Sequence, residues 1–224
     1  MKRLLIAVFT VSTLFSCRDK VNTPEFGFEY YGFEEGKYVT YEVTEVFHDE
    51  VLDPEKDTFQ YILKTVIGEP VTDNQGREAN KVFRYSYDFE TGDLIDQRVW
   101  TGIIADSRGE LVEENQRTIR MVFAVTPEKT WNINAFNALE EETAIYRDLH
   151  TFKSTNGFEF DSTVTVEYED FFSLVDYRKK FDVYAKGVGL VLRNYKDFTI
   201  NNFDTLDVKI GTETQYRLID YGME

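Results

Sequence analysis

Apolar and polar residues alternate with a period of two along much of this chain. Ile119, Met121, Phe123 and Val125 share one face of a run that begins at Arg117. Phe83, Tyr85 and Tyr87 share a face opposite Arg84 and Ser86, and Val164 and Val166 alternate with Thr163, Thr165 and Glu167. Such a period is the mark of half-buried strands. Turn formers separate the runs at Asp73-Asn74-Gln75-Gly76, Glu90-Thr91-Gly92-Asp93, Asp106-Ser107-Arg108-Gly109 and Thr155-Asn156-Gly157. The pattern predicts strands near 37–47, 58–68, 79–88, 94–104, 117–125, 143–152, 158–168, 178–187, 189–199 and 213–221. Helix is confined to a turn or two at Ala135–Glu142, where Phe136 and Leu139 are three apart, and to Asp170–Val175.

Consecutive strands joined by tight turns make an antiparallel meander. A sheet of that many strands curls, splits into two layers, or closes on itself. With 19 Phe and 14 Tyr available to fill a concave side, the expected fold is all-β: a single antiparallel meander forming a strongly curved sheet or incomplete barrel. A two-sheet β-sandwich is the alternative. The chain has four prolines and no Pro/Gly/Ser-rich linker, so residues 26–224 read as a single β domain.

The start of the chain follows a different pattern. Lys2 and Arg3 precede a mostly apolar run, Leu4 to Phe15, which ends at Cys17, the one cysteine present. These are the parts of a secretory signal peptide, and the run is shorter than the roughly 20 apolar residues a membrane-spanning helix needs. Leu14-Phe15-Ser16-Cys17 resembles the lipobox of bacterial lipoproteins, with Phe15 bulkier than the usual residue. That resemblance implies cleavage after residue 16 and a lipid on the Cys17 thiol. Residues 17–25 then form the lipidated cysteine and a short tether. The expected location is the bacterial envelope, lipid-anchored, with the outer membrane favoured and its periplasmic or surface face left open.

Several later segments are similar to a group of uncharacterised lipoproteins common in Bacteroidota. Gly36-Lys37-Tyr38-Val39-Thr40-Tyr41-Glu42-Val43 resembles the group's first strand, and Trp131-Asn132-Ile133-Asn134-Ala135-Phe136-Asn137 its middle segment. Phe160-Asp161-Ser162-Thr163 and Val183-Tyr184-Ala185-Lys186-Gly187-Val188-Gly189-Leu190-Val191 match two later ones. The resemblance implies an exported, lipid-anchored β protein. It brings no activity and no catalytic residue.

Charge and motif spacing narrow the function classes. Loss of Lys2 and Arg3 with the leader takes the formal charge from −16 to −18, which repels nucleic-acid backbones and anionic lipid. Membrane contact is therefore expected through the N-terminal lipid, and no nucleic-acid partner is expected. Gly32 to Lys37 lacks the spacing and the Ser or Thr of a phosphate loop. Gly187-Val188-Gly189 lacks the third glycine of a dinucleotide fingerprint and reads as a tight turn or bulge. His48 and His150 have no second His or Cys at ligand spacing, and a Ser-His-Asp triad lacks its G-x-S-x-G elbow. A loose Ca²⁺ site at Asp73-Asn74 or Asp88 to Asp93 stays open, as does a glycosidase-type carboxylate pair. Asp161-Ser162-Thr163 and Asp204-Thr205-Leu206 fit a loose O-glycan acceptor pattern. Trp100, Trp131, Tyr30 and Tyr31 are the candidate ligand-stacking residues.

The expectation is a non-enzymatic binding or interaction module with no cofactor and no metal, whose partner is a protein, glycan or lipid. One alternative is a carrier of a hydrophobic ligand in a half-open barrel, which a dry apolar cavity of several hundred Å³ would favour. The other is a carbohydrate-binding or carbohydrate-active envelope protein, which calls for facing carboxylates in a groove lined by Trp100 or Trp131.

Overall fold

A computed structural model describes residues 25–224. The signal segment 1–16, Cys17 and the tether through residue 24 lie outside them. Twelve strands form one sheet: β1 (Lys37–Asp49), β2 (Lys56–Thr72), β3 (Glu78–Asp88), β4 (Leu94–Ala105), β5 (Arg108–Glu113), β6 (Gln116–Val122), β7 (Thr130–Asn132), β8 (Thr143–Thr155), β9 (Phe158–Phe172), β10 (Asp176–Ala185), β11 (Gly189–Asn201) and β12 (Asp204–Met223). Their order in space is β6-β5-β4-β3-β2-β1-β12-β11-β10-β9-β8-β7, and every pairing described is antiparallel. The long pairing of β1 with β12 joins the chain's beginning to its end. The whole is a barrel, nearly closed, with an unsealed seam between β6 and β7.

Side chains bridge that seam where a strand ladder would otherwise run. Trp131 donates its indole N–H to the Ile119 carbonyl (3.0 Å), and the Ile119 amide donates to the Ile133 carbonyl (2.9 Å). The Tyr146 hydroxyl lies 2.9 Å from the Val122 amide and 3.0 Å from its carbonyl. Edge groups that water would otherwise reach are thus satisfied, and Trp131, Tyr146 and Ile119 belong to one buried core cluster.

The sheet departs from the sequence reading in three places. β5 and β7 are additional strands; each is short, and neither carries an alternating pattern long enough to register. The two predicted helical turns do not form: 135–142 is an irregular turn region, and 170–172 continues β9. A 3-10 turn at Phe28–Tyr30 is the helical element described. In β3, the aromatic face of Phe83 and Tyr85 points away from the barrel interior, while Val82, Arg84 and Ser86 line it. An interior partly lined by arginine is where this barrel departs from a plain hydrophobic core.

Eight strands enclose about enough space for their own inward side chains, and larger barrels leave room over. Here the segment before β1 takes up part of that room and closes one end. Tyr30 is completely buried, with its hydroxyl 2.6 Å from both His150 Nδ1 and Ser162 Oγ. The Tyr31 ring lies over Gly109 and its hydroxyl donates to the Glu110 carbonyl (3.1 Å), while the Phe33 ring lies over Gly102. Between them Gly32, at φ +61°, packs against the Val188 carbonyl and Gly189; a Cβ there would sit 2.4 Å from the Val188 oxygen. Lys37 then donates to the Gly187 carbonyl (2.9 Å). The two glycine motifs that mimic nucleotide loops are therefore the two halves of one backbone contact, with 186–188 forming a turn.

Candidate functional site

Residues from nine strands line one interior cavity. They include Tyr41 (β1), Leu63 (β2), Arg84 (β3), Trp100 (β4), Glu113 (β5), Arg120 (β6), Tyr184 (β10), Arg193 (β11) and Tyr216 (β12). Tyr31 and Phe33 of the plug floor it, with Ile67, Val82, Leu111 and Val188 around them. The enclosed volume is about 130 Å³. Leu63, Arg84, Trp100, Glu113, Arg193 and Tyr216 also line a wider vestibule of about 440 Å³, bounded further out by Glu45, Tyr61, Ser86, Ile95, Asp96 and Arg98. Those outer residues lie toward the strand ends farthest from the plug, so the lumen is closed at one end and opens at the other.

Three arginines line the cavity, and two of them, Arg84 and Arg193, also line the vestibule. Arg193 is held by Asp182, which is fully buried, through two bonds of 2.8 and 2.7 Å, and it stacks on Tyr195 and Tyr216. Burial works against its charge, but Asp182 more than compensates and drives the pKa well above the usual arginine value. Arg120 is paired with Glu113. In the β5–β6 ladder Gly109 faces Met121 and Glu110 faces Ile119, which leaves Arg120 as the extra residue of a bulge. Bulges re-aim side chains, and this one sends Arg120 into the lumen between two core positions. Burial opposes its charge as well, and Glu113 keeps it ionised. The Arg120 Nε is nonetheless buried without an acceptor.

Arg84 differs from both. Its guanidinium carbon lies 4.0 Å from the centre of the Trp100 ring. Among the described residues it forms no ion pair, and its side-chain hydrogen bond is a long one, Nη2 to the Tyr216 hydroxyl at 3.4 Å. The carboxylates of the vestibule are engaged elsewhere: Glu45 accepts from the Tyr61 hydroxyl (2.9 Å), and Asp96 pairs with Arg98 (2.7 Å). Burial pushes the Tyr31, Tyr41, Tyr184 and Tyr195 hydroxyls above their ordinary pKa, so the tyrosines of the wall are neutral donors.

Of the four candidate stacking residues, the structure brings Trp100 and Tyr31 to one cavity and places Tyr30 and Trp131 outside it. Trp100 alone stands at the opening, half-buried, where the vestibule meets an outer groove that also carries Phe136 and Leu139. Trp131 is 9% exposed and committed to the seam. Tyr30, expected to be partly exposed, is fully buried, and Tyr31 is a half-buried floor residue of the lumen. Sequence reading missed Arg84, Arg120 and Arg193. A visible signal existed for Arg84, a charge flanked by Phe83 and Tyr85 in a strand whose opposite face also had to be placed.

The other sequence candidates are used structurally. Asp73 accepts from the Gln75 and Arg77 amides (2.8 and 2.9 Å) and from the Arg77 side chain. Burial would raise its pKa, but these donors outweigh it and hold the carboxyl at about 2. Asp88 accepts from the Glu90 and Thr91 amides in its turn. His150 and Ser162 do approach within 3.4 Å, yet the buried Tyr30 hydroxyl lies between them, bonded to both. His48 is 7% exposed near the end of β1, edge-on to Phe198, and burial lowers its pKa. Ser162, the counterpart of Thr205 in the two acceptor patterns, is half-buried with its Oγ bonded to the Tyr30 hydroxyl (2.6 Å).

The two ends of the barrel differ in surface chemistry. Turns at the plugged end are polar: Asp73–Gly76, Asp106–Ser107 and Lys186–Gly187. Turns at the open end carry bare apolar side chains. Val51 (81% exposed) and Leu52 follow β1, Phe89 and Leu94 flank the β3–β4 turn, Leu174 and Val175 follow β9, and Phe203 and Leu206 (90% exposed) flank the β11–β12 turn.

No family model and no curated protein matches the chain. Among solved structures, it is similar to a candidate lipoprotein of Parabacteroides distasonis, over 89% of this chain and 100% of that one, at 12% identity and a TM-score of 0.40. It is also similar to a candidate exported protein with a YmcC-like fold from Bacteroides fragilis, over 84% and 97% of the two chains, at 10% identity and a TM-score of 0.41. At these identities and scores the likeness assigns nothing to this chain beyond what its own strands show.

Proposed function

We propose that this chain is an exported, lipid-anchored envelope protein that acts as a non-catalytic binding module, and that its barrel lumen is the binding site. The observation that carries the reading is the one-ended lumen: plugged by Tyr30, Tyr31 and Phe33, and continuous from the apolar cavity to the arginine-lined vestibule. Concave, mostly apolar sites with a few convergent polar groups are the usual form of small-molecule sites. The lumen carboxylates named above are each tied to a guanidinium or hydroxyl, which supports binding over acid–base chemistry. Export and lipid attachment rest on the leader and Cys17. Glu25, the first described residue, pairs with Lys186 at the plugged end.

The test is ligand-dependent stabilisation. A panel of small molecules screened by thermal denaturation should give saturable stabilisation, accompanied by a change in Trp100 emission. That change should be lost in Trp100→Phe and kept in Trp131→Phe. Stabilisation that leaves Trp100 emission unaltered would move the site elsewhere.

A second reading, a carrier of a hydrophobic ligand, draws on the apolar turns around the open end. The apolar part of the lumen weighs against a long acyl chain. At about 130 Å³ it is smaller than an engineered apolar cavity of roughly 150 Å³ that accepts benzene.

A further inference from the structure

The lumen has a chemistry that selects its ligand. Its apolar floor, slightly under the size that encloses benzene, suits a small ring or branched chain whose polar end extends into the vestibule. Just above the floor stand two under-used donors: the Arg84 guanidinium, which forms no ion pair among the described residues and one long bond to the Tyr216 hydroxyl, and the Arg120 Nε, which is buried without an acceptor. Buried donors are nearly always satisfied, and those left open call for a missing partner. The charges say which kind. Of the three lumen arginines, Arg193 is neutralised by Asp182 and Arg120 by Glu113, which leaves Arg84 unpaired. Asp96 and Arg98 balance one another farther out, and Glu45 is bound to Tyr61 without pairing to Arg84. Arg84 is therefore the lumen cation with no carboxylate bonded to it, at the point where floor meets vestibule, and Glu45 farther out balances it only at a distance.

Resting on the lumen as the binding site, we propose that its ligand is a small organic monoanion with a compact apolar tail, its carboxylate on Arg84 and its tail against the plug. The acidic exterior repels multiply charged anions, and the lumen has a single guanidinium, Arg84, without a carboxylate bonded to it. Arg84 is suited to the task because stacking on Trp100 fixes the guanidinium plane and leaves its edge to a planar carboxylate. Arg120 Nε, buried without an acceptor in the same cavity, is the candidate for a second bond, since a carboxylate oxygen accepts more than one donor.

The experiment is calorimetric titration of the purified protein with phenylacetate, with phenylacetamide as its neutral counterpart and decanoate as a long-tailed anion. Phenylacetate should bind one-to-one, and phenylacetamide about tenfold or more weakly, the usual scale for a charged hydrogen bond. Decanoate should bind more weakly than phenylacetate because its tail outgrows the floor. Arg84→Gln should abolish the preference for the anion while the fold, read by circular dichroism, is retained. Val82→Phe, which fills the floor and keeps Arg84, should weaken phenylacetate and serves if Arg84→Gln fails to fold. Equal affinity for acid and amide, or an undiminished preference in Arg84→Gln, would overturn the anion assignment and leave the lumen as a site. Absence of binding by all three, with Trp100 emission unmoved, would remove the lumen reading and this inference with it.

Discussion

Replacing Gly32 by alanine tests the plug in a way its neighbours can calibrate. Gly32 has φ +61°, and a Cβ there would lie 2.4 Å from the Val188 carbonyl oxygen and 2.6 Å from its carbon. Two costs add. A non-glycine residue in the left-handed region costs about 1–2 kcal/mol. The steric approach to fixed backbone adds about 1–3 kcal/mol, since no side chain can swing away. Gly76 and Gly157 isolate the first cost, because both have positive φ (76° and 85°) and nothing within 4 Å of an added Cβ. Gly32→Ala should therefore lose about 2–5 kcal/mol, and Gly76→Ala or Gly157→Ala about 1–2 kcal/mol. In a domain of about 200 residues, 1 kcal/mol moves Tm by about 2–4 °C. Urea and thermal unfolding followed by circular dichroism should thus separate Gly32→Ala clearly from the two controls. Equal loss at all three positions would mean that the Gly32–Val188 approach does not hold the plug in place.

Asp182→Asn should cost about 3–5 kcal/mol in urea unfolding, because it leaves Arg193 charged and unpaired in the wall; a paired Asp182→Leu, Arg193→Met change should recover most of the loss. Trp131→Phe should cost about 1 kcal/mol for the lost bond to Ile119 and hasten amide exchange at Ile119 and Ile133, and unaltered exchange there would mean that the seam does not depend on the indole. Asp73, held at about 2 against an ordinary 3.8, binds its proton less readily when folded than when unfolded. Its contribution of about 1–2 kcal/mol is present above pH 4 and fades as pH falls toward 2, so unfolding of Asp73→Asn should depend less on pH between 4 and 2 than the parent does.

How far the sequence discloses this molecule depends on what each signal measures. Alternation discloses long strands well, because one face of β1, β2 or β9 packs on a core and the other meets water or a neighbouring layer. It does so poorly for β5 and β7, which are shorter than a useful window. Antiparallel connectivity follows from tight turns, and closure into a barrel follows from strand number. The plug is not legible, since Phe26 to Phe33 has no period and its glycines need the fold to explain them. Resemblance to nucleotide loops is misleading for a physical reason: a glycine that admits a phosphate also admits a carbonyl from another strand. The site is harder still. Stacking candidates chosen as aromatic are drawn into cores, as Tyr30 and Trp131 are, because burial is the ordinary fate of such rings. The residues that define the lumen are arginines whose partners sit on other strands: Glu113 and Arg120 are seven residues apart across a bulged hairpin, and Arg84 meets Tyr216 across 132.

The central claim is a lumen open at one end, with Trp100 and the unpaired Arg84 at its opening and Trp131 sealed in the seam. Quenching of tryptophan fluorescence tests it directly, with iodide and caesium as small probes of opposite charge. In Trp131→Phe the remaining Trp100 should be quenched readily, and by iodide more than by caesium despite the acidic exterior. In Trp100→Phe the remaining Trp131 should resist both. Equal shielding of the two tryptophans, or stronger quenching of Trp100 by the cation, would contradict the account.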